Sequence, residues 1–334
     1  PEPSENPVLI GHDEVRALLA AAYRAGKLPH ALLLAGPAGI GKATLAFHLA
    51  NHLLVHRDAA TAPDTIAAPD PASPVFRQVA SGAHAGVLHL TRPANEKTKG
   101  FRTAVTVDEI RKVNRFLSMT AHDGGYRVVI VDPADDMNTN AANALLKNLE
   151  EPPSRTVFIL IAHSPGRLLP TIRSRCQVMR LHPLGEDELL AALGTVGVAP
   201  PQEAEARSVL AAQADGSVRQ AILLAEHGGL EIARAIEDAA RAPRADWPAM
   251  NKLAEVVAAR DHETRFDLFN RHALDMLSDA ASAAAREGSV GRAERLAKAW
   301  QQARVAVEEA ETYNLDRKQH ALNMISSLNA ALRM

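Results

Sequence analysis

The sequence predicts an α/β P-loop domain on a parallel sheet, followed by a small helical unit and a larger all-helical domain. Three observations carry this reading. Short apolar runs alternate with helical patterns as far as about residue 183, one of those runs leads straight into a glycine-rich loop and a helix, and strand signals then cease to residue 334. At 334 residues the chain exceeds what one ordinary core organises, and the expected units are 1–183, 184–228 and 229–334.

The first strand is "ALLLA" at 31–35, a continuous apolar run of the kind buried on both faces of a parallel sheet. The loop "GPAGIGK" follows, and "KATLAFHLANHLLVH" then sets Leu45, Ala46, Leu49, Leu53 and Leu54 on one helical face. Residues 57–75, "RDAATAPDTIAAPDPASPV", carry no usable hydrophobic period and are expected to form an exposed, mobile insertion. Further strands are expected at "GVLHL" (86–90), "YRVVIVD" (126–132), "TVFILIA" (156–162) and "QVMRL" (177–181). "TVDE" opens a helix near 106–118, with Thr106 as N-cap and Glu109 reaching back to it. A helix near 138–151 must stop at Pro152-Pro153. Beyond "HPLGEDELLAAL" the helical patterns break at "GVAPPQ", "ADGS", "EHGG" and "RAPRADWP".

Composition narrows the function classes. Hydrophobic residues at 47% and charged residues at 23% give the balance of a soluble globular protein. A formal net charge of −2 supplies no global field towards nucleic acid or an anionic membrane, so any such contact needs a local patch. The lone Cys176 excludes an internal disulfide framework and a cysteine-rich zinc cluster, and it fits a reducing, cytoplasmic setting. The sequence has no apolar run near the ~20 residues of a membrane span, and its polar, proline-rich start has no signal-peptide pattern.

The chemistry sits in "GPAGIGKA", which completes the pattern G-x-x-x-x-G-K. Gly36, Gly39 and Gly41 let backbone amides approach phosphate oxygens, Lys42 reaches the β- and γ-phosphates, and the helix N-terminus adds its positive dipole. Ala43 stands where the motif carries the hydroxyl that ligates Mg²⁺. Thr44, one position on, is turned about 100° around the helix, so ATP binding is expected to outlast metal positioning. "RVVIVD" ends in Asp132, placed either as the carboxylate that holds Mg²⁺ or as a turn-capping residue. Pro133 follows it and can neither take a proton nor orient a water, while Asp135 and Asp136 lie near enough to be considered as a displaced base.

"NAANALLKNLEEPPSRTVFILIAHSPGRLLPTIRSRC" closely resembles the segment of bacterial DNA polymerase III clamp-loader subunits, an AAA+ family, that runs from the Walker B region to the Ser-Arg-Cys motif. "LPHALLLAGPAGIGK" and "DGSVRQAI" extend the resemblance in order along the chain. In that family a glutamate follows the Walker B aspartate to polarise the attacking water; Pro133 departs from this pattern. The resemblance implies an AAA+ domain, a helical lid and a C-terminal collar domain through which subunits assemble into a heteropentameric ring. It makes Arg175 an arginine finger acting in trans on a neighbour's γ-phosphate, with Arg173 the competing candidate. Arg219 matches the lid's sensor 2 arginine, although a solvated helix arginine fits it equally well, and His163 and Ser164 at the sensor 1 position stay unassigned. The implied partners are tau/gamma-type ATPase subunits and a delta subunit, with the sliding clamp and primer–template DNA reached through the complex.

Two readings of activity follow: a replication subunit with a silent ATPase site, which Ala43 and Pro133 favour, or an active motor subunit, which Lys42 and Asp132 favour. Many relatives carry a four-cysteine zinc module after the P-loop helix; this chain has residues 57–75 there, so no zinc is expected. His48, His52 and His56 recur at metal-like spacing, but "HLANH" lacks the glutamate of H-E-x-x-H and reads as a solvated helix face. Arg111, Lys112 and Arg115 could meet DNA phosphates or pair with Asp108 and Glu109.

Overall fold

The computed structural model describes residues 2–92, 104–118, 124–226, 228–244, 246–259, 263–313 and 315–333. Two compact units divide the chain, Pro1–Arg219 and Gln220–Met334.

In the first unit five parallel strands form one sheet in the order β2-β3-β4-β1-β5. They are β1 (Ala31–Ala35), β2 (Val87–Leu90), β3 (Arg127–Val131), β4 (Thr156–Ala162) and β5 (Gln177–Arg180). Each falls within a run expected from the sequence. Around them lie α1 (Asp13–Arg24), α2 (Lys42–Val55), α3 (Pro74–Ala80), α4 (Val107–Ser118), α5 (Thr139–Glu150), α6 (Pro170–Arg173), α7 (Glu186–Thr195) and α8 (Ala204–Ala214); α9 (Val218–Glu226) runs on past the boundary between the units.

The central strands β1 and β4 are buried at every position and β3 at all but its first, because their residues are almost all apolar, and the pleat sends alternate residues to opposite layers. Leu32, Leu34, Val128, Ile130, Ile159 and Ile161 pack with residues of α1, α2 and α3. Leu33, Val129, Val131, Phe158 and Leu160 pack with residues of α4, α5 and α6. Each such Leu, Ile or Val contributes about 1.5–3 kcal/mol by leaving water. Helix α5 ends at Glu150, before Pro152, and its Leu149 carbonyl is tied to the His30 ring at 2.9 Å, just ahead of β1.

Three expectations are corrected here. Residues 57–75 are packed rather than exposed throughout: Ile66 is fully buried, Ala62 nearly so, and Arg16 Nε donates to the Ile66 carbonyl at 2.9 Å. Single apolar anchors in an irregular segment have no period to detect. The histidines of α2 do not form a solvated face. His48 and His52 are buried, and the His52 ring meets Tyr23 edge-on at 5.6 Å, because α2 is covered on every side. Glu109 pairs with Lys112 at 2.7 Å, where a return to Thr106 was expected.

The second unit is helical: α10 (Gly229–Arg241), α11 (Trp247–Ala258), α12 (Glu263–Arg286), α13 (Val290–Tyr313) and α14 (Arg317–Arg333). Ile236, Val257, Phe269, Ala273, Ile325 and Leu328 form the centre of its core. Buried Asn329 on α14 donates to the carbonyls of Ala239, Ala240 and Ala242 at 3.0 Å, satisfying the acceptors that the end of α10 leaves unpaired.

Candidate functional site

The P-loop leaves β1 at its carboxyl end, where the chain's strand order reverses between β4 and β5. Open α/β sheets bind ligands at such a switch point. Gly36 donates to the Ala162 carbonyl at 3.2 Å, which fixes the mouth of the loop to β4. Gly41, at φ 98°, is the N-cap of α2 and supplies no side-chain cap to the amides of its first turn. The residues present therefore fit a phosphate, which would rest on those amides and on Lys42.

Lys42 is buried, at 3% exposure, and its ammonium donates to the carbonyls of Gly36, at 2.6 Å, and Pro37. Burial brings its pKa down to about 8, against the opposing pull of Asp132 and Asp135. Asp132 moves the other way: burial raises it to about 6, and Lys42 restrains the rise. Each charge thus opposes the effect of burial on the other.

The Asp132–Pro133 peptide is cis, and a short 3₁₀ turn over Ala134–Asp136 follows. Asp135, the nearer of the two carboxylates considered as a displaced base, is buried and committed. It accepts from the Ser164 amide at 2.7 Å and from the His163 amide at 3.2 Å. Asp136 takes Arg92 at 3.5 Å and Arg167 at 3.9 Å. The turn that begins at Pro133 therefore anchors the end of β4 through Asp135.

Arg219 opens α9 against the loop, its amide donating to the Gly39 carbonyl at 3.4 Å. Its charge and that of Lys42 both hold down the pKa of His163, whose lowering is due first to burial. Gly39 is required by this contact: its φ is +79°, and a Cβ there would lie 2.3 Å from Ser217 Oγ and 2.7 Å from Arg219 Cβ. Gly39→Ala is expected to destabilise the first unit by about 1–3 kcal/mol, read from the first denaturation midpoint, and adding Ser217→Ala should recover little because the Arg219 contact remains.

Thr44, the third residue of α2, is buried, and Ala43 offers no hydroxyl. His12 was not legible as a site residue: in the left-handed region at φ 60°, it holds the Ile40 carbonyl by Nε2 at 2.6 Å and so braces the loop from outside. "GHDE" carries a helix-start signal but no sign of this long-range bond.

Arg175 stands in the turn between α6 and β5, away from Lys42 in the sequence and tied elsewhere. Its Nη1 donates to the Thr171 carbonyl at 2.9 Å, and Nη2 pairs with the Glu150 carboxylate. Arg173 is exposed in the same turn. On α4, Arg111 pairs with Asp108 at 2.6 Å and Lys112 with Glu109, while Arg115 is exposed.

A parallel sheet with the phosphate loop at its switch point, an aspartate at the end of β3 and the start of α9 bonded to the loop define the fold as an AAA+ P-loop domain with helical additions. Residues 11–185 match the protein family described as DNA polymerase III, delta subunit, and the chain belongs to that family. It is similar to DNA polymerase III subunit delta' of Pseudomonas aeruginosa, 44% identical over 189 residues covering 56% of this chain and 53% of the relative. It is also similar to DNA polymerase III subunit delta' of Escherichia coli, 33% identical over 195 residues covering 52% and 53%. The matches span about half the length of these relatives. Among solved structures, a gamma-subunit-related protein of Thermotoga maritima matches with a TM-score of 0.45 at 16% identity, covering 94% of this chain and 99% of that one. Among the described residues no helix is long and apolar enough to cross a membrane.

Proposed function

We propose that the chain is a delta-prime-like stator of a cytoplasmic clamp loader. It keeps a nucleotide cradle, does not turn ATP over itself, and offers Arg175 to the ATP site of an adjacent tau/gamma-type subunit in a heteropentamer that also contains a delta subunit. The assembled ring would place the sliding clamp on primer–template DNA.

One observation supports this reading above the active-motor alternative. Pro133 follows Asp132, and the next two carboxylates are consumed by His163, Ser164, Arg92 and Arg167. Nothing in that turn is left to orient a water. ATP bound here would have its phosphates held by the loop amides and Lys42, with Arg219 at the lid; Ala43 weakens the hold on Mg²⁺. ATP titration followed by a fluorescent analogue should therefore show binding that Lys42→Ala abolishes and that chelating Mg²⁺ changes by less than about threefold, a small step on the affinity scale. Tight binding that collapses with chelation would contradict the reading of Ala43.

A further inference from the structure

We propose that Glu150 is a positioning residue for Arg175: the carboxylate at the end of α5 orients the guanidinium before a partner arrives. This rests on the trans role proposed for Arg175. The backbone of the turn is already fixed, with Arg175 N donating to the Ile172 carbonyl at 3.1 Å and Cys176 N to that of Arg173 at 3.3 Å. The side chain is the remaining freedom, and an arginine carries many rotamers to lose. Two contacts from different elements restrain that freedom, a hydrogen bond from Nη1 to Thr171 O and an ion pair between Nη2 and the Glu150 carboxylate. Together they set the plane of the fork and leave its other N–H groups unused.

The support is itself rigid. Glu150 is the last residue of α5, Glu151 N closes the helix onto the Lys147 carbonyl at 3.2 Å, and the preceding Leu149 carbonyl is held by His30. The Arg175 side chain is 34% exposed and that of Glu150 is 48% exposed, so the fork lies at the surface where a neighbour's phosphate can reach it. Arg173 has no ion pair among the described residues, which singles out Arg175 as the prepared arginine. Preorganisation of this kind saves ordering cost at the moment of engagement.

The test uses the assembled loader, reconstituted from this chain and its ATPase subunit, with steady-state ATP turnover as readout. Glu150→Ala should lower kcat about threefold to fivefold, the scale of an exposed ion pair, with KM and the affinity of assembly unchanged. Glu150→Gln should retain most of the turnover, since its amide oxygen keeps the reach of the carboxylate and can accept from the guanidinium. In an Arg175→Ala background, Glu150→Ala should add nothing. Turnover that is unchanged or raised by Glu150→Ala would overturn the proposal, a rise meaning that the carboxylate competes with phosphate. So would a loss that persists in the Arg175→Ala background. Arg175→Ala without effect would instead remove the trans role itself, and the proposal with it.

Discussion

Arg175→Ala is expected to lower the neighbouring subunit's ATP turnover in the assembled loader by about 10³-fold or more, the scale on which arginine fingers act. In the proposed trans role the guanidinium would meet charge that develops on a neighbour's γ-phosphate, where preorganised donors are worth most. Arg175→Lys should not restore the rate, since an ammonium lacks the planar fork. Arg173→Ala, in the same turn but without the Glu150 and Thr171 contacts, should leave turnover within about twofold, as expected of a surface change. Assembly checked by sedimentation separates lost chemistry from lost contact. Equal turnover by the wild-type and Arg175→Ala assemblies would remove the trans role.

Acid should destabilise the first unit through His52 by about 3 kcal/mol in the limit. Burial lowers this imidazole from 6.5 to about 4, and the neighbouring His56 ring at 4.8 Å adds to the effect. Its Nε2 has no hydrogen-bond partner among the described residues, so a proton taken there finds no acceptor. The sign follows from proton binding: between about pH 6.5 and 4 the unfolded chain takes a proton that the folded chain refuses. The contribution is therefore complete above pH 6.5 and falls away as pH drops towards 4. At pH 5 about 2 kcal/mol of it should be gone. His52→Leu fills the site without a proton acceptor and should remove that part of the loss between pH 7.5 and pH 5, measured by denaturant unfolding. An unchanged pH dependence in the variant would contradict the assignment.

The strands and the phosphate loop were legible because their signals are local. "ALLLA" against Gly36, or "RVVIV" against Asp132, fixes strand and loop within a few residues of one another. Contacts across the chain were not. Asp135 meets Ser164 over 29 residues, and Glu150 meets Arg175 through elements whose separation only the fold determines. The α2 histidines misled for another reason. Periodicity assigns one apolar face, whereas this helix is buried all round, and a neutral imidazole packs there much as an aromatic does. Arg219 was ambiguous in sequence for want of the Gly39 contact, which is what brings the start of α9 to the loop.

The central claim, that the cradle persists while its hydrolytic chemistry is gone, is tested most directly by steady-state ATP hydrolysis of the purified chain alone beside a Lys42→Ala preparation. The account predicts that both run at the same background rate, because Pro133 follows Asp132 and Asp135 is held by the His163 and Ser164 amides. Turnover in the wild-type chain that disappears with Lys42→Ala would contradict it, and would mean that another group beside Lys42, with His163 the first to examine, orients the attacking water.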